Sequence, residues 1–329
     1  MQILFVGCGD HGGQTLLPAA LSADLRITAL VDHDLDRARR LAAQWSIPNV
    51  YASVEDVDAS VFDAVVLALP VGVQADHVEW ALRHHLPAFV EKPPAPDPQR
   101  LLELAALADE TGAGCYVGMN FRWAQGVLAL LAVLDSGRFG PACFTRIVHI
   151  ARKPIQAFTG DLSLEASLFH AQGIHALDLA MLLLSGTGVV SGQMVSVDRG
   201  LLCELAADDT TAGRRFEASF GSCAAGFYHQ VEVVTSHGDL LRLSELSELV
   251  HLPHGGTPDV TDYPGGRVLW RRSPIAGGYQ LAGYASELAA FKDRLHGEAA
   301  PGLATLSDLR PVYAAFDDLL AMRGLKWTA

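Results

Sequence analysis

The sequence predicts an α/β domain built on a doubly wound parallel sheet, followed by an α+β domain with a largely antiparallel sheet. Three observations predict it. Over the first 120 residues, short and almost continuously apolar runs alternate with longer helix-like stretches, as in sheets whose strands are covered by helices on both faces. A glycine-rich loop, Gly7-Cys8-Gly9-Asp10-His11-Gly12, directly follows the first of these runs. After about residue 120 the pattern becomes strand after strand without intervening helices, which indicates antiparallel pairing. A chain of 329 residues accommodates two domains at roughly 100–200 residues each, divided here as 1–120 and 121–329.

Ile3–Val6, Ile27–Val31, Ala64–Leu69, Ala88–Val90 and Cys115–Met119 are the strands expected in the first domain, and Gly12–Ser22, Asp34–Gln44, Val73–Arg83 and Pro98–Glu110 its helices. In the last helix Pro98 falls in the first turn, where a missing N–H is tolerated, and Leu101, Leu102, Leu104 and Leu107 supply an apolar face. Units of this kind form a doubly wound sheet that takes ligands beyond the carboxyl ends of its strands. Further on, Trp123–Leu134 reads as a helix stopped by Ser136-Gly137, Phe144–Ala151 as a strand and Leu168–Leu184 as a long helix. Gln193–Val197, Phe216–Phe220, Ala224–His229, Val231–Thr235 and Val268–Arg271 read as strands, and Gly255–Pro264 as a surface loop. Tyr284–Leu295 and Leu306–Met322 are closing helices, with room to pack back on the first domain.

Composition excludes several classes. Lys and Arg total 24 against 37 Asp and Glu, a net charge of −13, and no basic cluster exists to neutralise phosphates, so a nucleic-acid partner is not expected. Half the residues are apolar and 19% charged, which excludes a disordered chain. Apolar stretches such as Val65–Pro70 and Leu179–Leu184 are far shorter than the ~20 residues of a membrane span. Met1-Gln2 enters an apolar run without a basic leader. The five cysteines, Cys8, Cys115, Cys143, Cys203 and Cys223, are scattered and lack any CxxC, as expected of reduced thiols in the cytoplasm. No His, Cys and carboxylate set has metal-site spacing.

The glycine loop carries the first chemical signal. One glycine makes the tight turn, one lets backbone approach a pyrophosphate, and one allows close helix–strand packing. The helix that follows offers free N–H groups to the anion. Asp32 ends the second strand, twenty residues beyond Gly12, where a carboxylate accepts hydrogen bonds from a ribose 2′-OH and repels the extra phosphate of NADP. NAD is therefore the expected cofactor; His33, the next residue, keeps NADP open. Phe89-Val90-Glu91-Lys92-Pro93 places a lysine at a strand end on the nicotinamide edge. Such an ammonium can hydrogen-bond a carbonyl or alkoxide oxygen and relay its proton during hydride transfer.

With these residues the chain resembles the Gfo/Idh/MocA family of nicotinamide-dependent oxidoreductases, nearly end to end. The resemblance rests on Gly7–Gly12, Asp32, Ala68-Leu69-Pro70 and Glu91-Lys92-Pro93, then on Gly118-Met119-Asn120-Phe121-Arg122 and Gly173-Ile174-His175-Ala176-Leu177-Asp178. It continues in Glu287-Leu288-Ala289-Ala290-Phe291 and Leu295-His296-Gly297. It implies a Rossmann domain followed by a large, open, mostly antiparallel sheet often used for assembly into homodimers or homotetramers. It also implies a dinucleotide held by Gly7, Gly9, Asp10, His11, Gly12, Asp32, His33, Leu69, Pro70, Glu91 and Lys92. Lys92 and His175 are the implied catalytic pair; Asn120 and Arg122, which open the second domain, and His170 are the candidate residues for a small-molecule substrate, with an ion pair tying the domains together the equal alternative for Arg122.

Two positions depart from the family pattern. Sugar- and inositol-oxidising members carry an aspartate four residues before the helix histidine, one turn away on the same face; here that position is Ala171. His170 lies five before His175, about 140° away in projection on a regular helix. Gln74 stands where many members have a histidine. The missing aspartate shifts the expected substrate from ordinary polyols to keto-sugar or biosynthetic intermediates, with carbonyl/alcohol or imine/amine chemistry. Two alternatives are a redox-neutral oxidise–eliminate–reduce reaction on tightly bound NAD, and a non-catalytic dinucleotide-sensing scaffold. Intact Lys92 speaks against the second, since function depends on the site and not on the fold.

Overall fold

The computed structural model describes residues 1–183, 188–198, 200–209, 213–254 and 266–329. The stretch Gly255–Pro264, expected as a surface loop, lies outside the described residues. The chain divides into two compact units: Met1–Asn120 with Gly283–Arg310, and Phe121–Ala282 with Pro311–Ala329.

Within the first unit the chain runs β1 (Ile3–Val6), α1 (Leu17–Ser22), β2 (Ile27–Val31), α2 (Leu35–Trp45), β3 (Asn49–Tyr51), β4 (Ala64–Leu67), α3 (Val71–Arg83), β5 (Ala88–Glu91), α4 (Pro98–Thr111) and β6 (Cys115–Gly118). Every residue of β1, β2, β4 and β5 is buried, which is why these runs are apolar without alternation. β3, with its exposed Asn49 and half-buried neighbours, gave too weak an apolar signal to be expected from sequence. β4 ends two residues earlier than expected, at Leu67, because Pro70 caps α3 in extended conformation. Asp34 and Asp97 cap α2 and α4 by accepting the N–H of Arg37 and Arg100.

The second unit continues with α5 (Gln125–Asp135), β7 (Ala142–Ile150), α6 (Leu164–Leu168), α7 (Ile174–Leu183), β8 (Gly188–Val197), β9 (Gly200–Asp209), β10 (Arg214–Gly221), β11 (Tyr228–Thr235), β12 (Leu240–Ser244), β13 (Glu248–Leu252), β14 (Arg267–Arg271) and α8 (Gly278–Leu281). α9 (Tyr284–Leu295) and β15 (Ala304–Thr305) return to the first unit, and α10 (Arg310–Arg323) belongs to the second but for its first residue.

The first sheet has seven strands ordered β15-β6-β5-β4-β1-β2-β3. All its pairs are parallel except β15 with β6. The order reverses between β1 and β4, so the glycine loop after β1 stands at the switch point where such sheets bind ligands. The second sheet has eight strands ordered β14-β13-β12-β11-β7-β10-β9-β8, antiparallel apart from β7 with β10. α7 packs against β7 and β10. Phe169, Phe216, Phe220 and Phe316 are wholly buried in this unit, each such side chain contributing about 1.5–3 kcal/mol of hydrophobic stabilisation.

The expected long helix 168–184 is broken near its start. Phe169–Gly173 forms a π-helical turn between α6 and α7, with the Ile174 N–H donating to the Phe169 carbonyl five residues back. A second π turn, Gly12–Leu16, opens the helix after the glycine loop, with the Leu17 N–H on the Gly12 carbonyl. Such turns occur mostly as single insertions in α-helices, often at functional sites.

Candidate functional site

In the first unit the glycine loop has the shape its sequence implies. Gly7 has φ +99°, and a Cβ there would collide with the Ala68 carbonyl. A Cβ on Gly12 would collide with the Gly7 carbonyl. At Gly9 a Cβ would meet no atom within 4 Å, so nothing in the protein itself demands glycine there. The open face over Gly9 suits a ligand that must touch backbone, as a pyrophosphate does.

Asp32 is 7% exposed at the end of β2. Its carboxylate accepts the N–H of Cys8 at 2.7 Å, the N–H of Asp34 at 2.8 Å and the Arg37 guanidinium at 2.9 Å. Burial alone would raise its pKa, but the Arg37 guanidinium and the two backbone N–H groups outweigh it and hold it below the ordinary carboxylate value. The same burial, with Asp32 beside it, pushes the Cys8 thiol up to about 12. His33 is exposed, its Nδ1 3.4 Å from the Asp32 carboxylate. Arg37, one of several charged residues on α2, turns back onto Asp32. The available signal was its place in the first turn of α2, three residues after the capping Asp34.

Gln74, fully buried, joins two turns. Its Oε1 accepts the Leu69 N–H at 2.9 Å, and its Nε2 donates to the carbonyls of Glu91 and, at 2.7 Å, Pro93. The Leu69-Pro70 turn and the Glu91-Lys92-Pro93 turn are thus held by a single amide, a bracing role the sequence did not reveal. Burial pushes the Lys92 ammonium below the ordinary lysine pKa, and the Glu91 charge opposes that shift. Glu91 in turn lies 3.2 Å from His11 Nε2, and the His11 ring meets the Tyr284 ring edge-on at 5.5 Å.

In the second unit His175 sits in the first turn of α7, 5% exposed, and its ring stacks on Phe121 at 4.4 Å between centroids. Phe121 also meets His149 and His229 edge-on, at 5.3 and 5.1 Å. These two histidines lie opposite each other on β7 and β11, with their Nδ1 atoms 3.3 Å apart. One ring must therefore donate and the other accept. Burial first, and His149 second, push His229 well below the ordinary histidine value, so the His229 ring is uncharged at neutral pH. Sequence reasoning missed both. Each is one of several polar residues in its strand, β7 with Thr145 and Arg146 and β11 with Gln230 and Glu232, and only the strand register pairs the two.

Arg122 forms a two-pronged ion pair with Asp178, Nε to Oδ2 at 2.8 Å and a terminal nitrogen to Oδ1 at 2.5 Å. It braces the start of the second unit against α7. Asn120, 1% exposed, ends the first unit's main segment. His170 is fully buried with its ring beside Trp327 at 5.8 Å and Phe169 at 5.6 Å. Across the π turn, five residues make about one helical turn, so His170 lies one turn behind His175. The 140° offset expected for a regular helix does not apply.

Among the described residues no group of His, Cys, Asp and Glu can hold a metal ion, and no helix is long and apolar enough to cross a membrane. The described cysteines are all free.

Comparison with known proteins agrees with this geometry. Residues 1–119 match a family model described as an oxidoreductase family with an NAD-binding Rossmann fold. The chain is 28% identical to D-apiose dehydrogenase of Rhizobium rhizogenes over 197 residues, covering 59% of this chain but only 56% of that protein. It is 28% identical to inositol 2-dehydrogenase of Burkholderia lata over 318 residues, 92% of this chain and 88% of that one. A solved dehydrogenase from Chromobacterium violaceum superposes with a TM-score of 0.89 at 27% identity, covering 98% of this chain and 95% of the other.

Proposed function

The chain belongs to the Gfo/Idh/MocA family of NAD-binding oxidoreductases, and from that premise we propose that it transfers hydride between a nicotinamide cofactor and a small polar, sugar-like or biosynthetic intermediate. The reacting carbon is of the carbonyl/alcohol or imine/amine type. The observation that carries this reading is the pairing, in one unit, of the open-faced glycine loop with the half-buried, desolvated Lys92 at the end of β5. The dehydrogenase names of the relatives, D-apiose and inositol 2-dehydrogenase, support a hydroxylated substrate class.

Gly7, Gly9 and Gly12 shape the loop for a pyrophosphate, with Asp10 and His11 at its apex. Asp32, held ionised, accepts a ribose hydroxyl and disfavours a 2′-phosphate, so NAD is preferred; Arg37 and His33 beside it temper the exclusion of NADP. Leu69, Pro70 and Glu91, braced by Gln74, line the nicotinamide side. Bound nicotinamide supplies or accepts the hydride. Lys92 hydrogen-bonds the substrate oxygen and holds or releases its proton, which burial makes easier to release than from an ordinary lysine. His175, oriented by its stack on Phe121, donates or accepts a proton or orients the substrate. Asn120, Arg122 and His170 contribute to the substrate side, Arg122 and His170 by holding α7 and its π turn in place. The His149–His229 pair, with His229 held neutral by burial, adds hydrogen-bonding capacity suited to hydroxyl groups.

The scattered free cysteines support a cytoplasmic setting. Exposed Val195 and Val197 on β8 and Val268 on β14 support assembly through the broad sheet into a homodimer or homotetramer. Light scattering on the eluting protein tests that assembly; a monomer at micromolar concentration rejects it. A parallel fluorescence titration with NADH and NADPH tests the cofactor assignment. Tighter NADH binding is expected, and binding of neither overturns it.

A further inference from the structure

Across residues 321–329 every side chain is exposed except that of Trp327. The backbone around it is tied to the residues that lead into α6. The Ser163 N–H donates to the Trp327 carbonyl at 2.9 Å, the Ser163 hydroxyl to the Lys326 carbonyl at 2.9 Å, and the Ala329 N–H to the Asp161 carbonyl at 3.1 Å. Ser163 is also the N-cap of α6, its hydroxyl oxygen accepting the Ala166 N–H at 3.1 Å. The indole meets the Phe169 ring edge-on at 5.2 Å and lies 5.8 Å from the His170 ring. Phe169 and His170, both wholly buried, are the first two residues of the π turn. On its other side the indole stacks on Tyr313 at 5.7 Å, and its Nε1–H donates to Asp317 Oδ1 at 2.8 Å. Tyr313 and Asp317 stand four apart on α10, so one helix face offers both the ring and the acceptor that a buried tryptophan needs.

The direction in which His175 faces depends on that turn. An α-helix advances about 100° per residue, so removal of the extra residue of the π turn would rotate α7, and His175 with it, by about that angle relative to α6. His175 stacks on Phe121 at 4.4 Å with the ring planes 21° apart, a pose that such a rotation destroys. Gly173 against Phe220 secures the far end of the turn. The near end is secured by Trp327, whose ring covers Phe169 and His170 while its backbone holds the cap of the helix before them. Resting on the reading of His175 as part of the reaction site, we infer that Trp327 is a positioning residue: it locks the π turn between α6 and α10 and thereby sets the pose of His175 on Phe121.

The His175 ring reports its own position, because protons held over the face of Phe121 resonate upfield through ring-current shielding. In the full chain labelled at histidine Cε1, a shielded His175 signal is expected, assigned by its loss in His175→Gln. Trp327→Met fills much of the same volume with a flexible chain but lacks the flat ring. In this variant the signal should move toward the unshielded range, while NADH affinity stays within about twofold, as expected for sites that share no partner. Trp327→Phe, which keeps a ring, should keep the signal. Asp317→Ala, at an exposed position of α10, releases the indole N–H without opening the core. It should speed amide exchange of Phe169–Gly173 about twofold to tenfold, the worth of one hydrogen bond. A cooperative melting transition identifies the folded variants. A folded Trp327→Met with the wild-type His175 signal overturns the proposal. Unchanged exchange in Asp317→Ala overturns it as well, and decides the case if Trp327→Met does not fold. Absence of NADH binding by the wild type overturns the oxidoreductase reading instead and leaves the His175 signal interpretable, so the two failures are distinguishable.

Discussion

At the scale of single residues, Lys92 and Gln74 make the sharpest demands. Replacing Lys92 with Ala removes the group proposed to stabilise the developing oxyanion, so turnover should fall by about 10²–10⁴-fold. The NADH dissociation constant should change little, and full activity in this variant rejects the mechanism. Gln74→Ala leaves the Leu69 N–H and the Glu91 and Pro93 carbonyls without their shared partner. The expected cost is about 1–3 kcal/mol in chemical denaturation, together with weaker NADH binding if the two turns line the cofactor as proposed, because both lose their brace. Asp32 makes a pH-dependent prediction. Its folded-state pKa is depressed, so its contribution to stability is present above the ordinary carboxylate range and is lost as pH falls through the folded value. Urea denaturation of wild type and Asp32→Asn should therefore differ most near neutrality and converge toward pH 3; a gap independent of pH rejects the assignment. These single-residue roles were partly legible in the sequence. The glycine loop, Asp32 and Lys92 stand at fixed spacings from strand ends, but Gln74 and Arg37 act on partners distant in sequence or masked by a surface-like charge pattern.

At the scale of elements, the π turn is the feature a regular-helix reading missed. The run around Leu168–Leu183 has continuous apolar periodicity, so nothing in its composition signals one inserted residue. What holds the turn is packing. Gly173 lies against the Phe220 ring, where a Cβ would sit 2.7 Å from Cε2. Gly173→Ala should therefore destabilise the second unit by about 1–3 kcal/mol through overpacking. It should also lower turnover more than NADH affinity, since the disturbance is next to His175 and not in the dinucleotide-binding unit. Equal losses in both quantities would place His175 outside the chemistry. The helix caps were more readable: Asp34 and Asp97 are preferred capping types immediately before apolar-faced helices.

For the molecule as a whole, its two compact units imply that ligand effects separate by unit. A ligand that binds only the folded state stabilises it by about 2.7 kcal/mol at a hundred times its dissociation constant. NADH at that concentration should therefore raise the melting transition associated with the first unit and should protect the amides of residues 7–12, Leu69, Glu91 and Lys92 from hydrogen exchange. Protection confined to the second unit would contradict the assignment of the cofactor to the glycine loop. Lys92→Ala should retain this stabilisation, which separates loss of chemistry from loss of binding.

The amino-acid sequence by itself determined the two classes of sheet, the glycine loop with its acidic partner at the end of β2, and the lysine at the end of β5. Each of these is encoded locally, by residues whose spacing follows the period of a strand or a helix or the geometry of a single turn. Only the tertiary structure decided that Arg37 is bound to Asp32 and Gln74 to the turns at Leu69 and Glu91-Lys92-Pro93, that a π turn aligns His170 with His175, and that His149, His229 and Phe121 gather around that histidine. It also paired His11 with Glu91. Such contacts join segments distant in the chain, 80 residues apart for His149 and His229 and farther for Phe121 and His229, and depend on strand register and side-chain packing. Neither leaves a periodic trace in any one stretch of sequence.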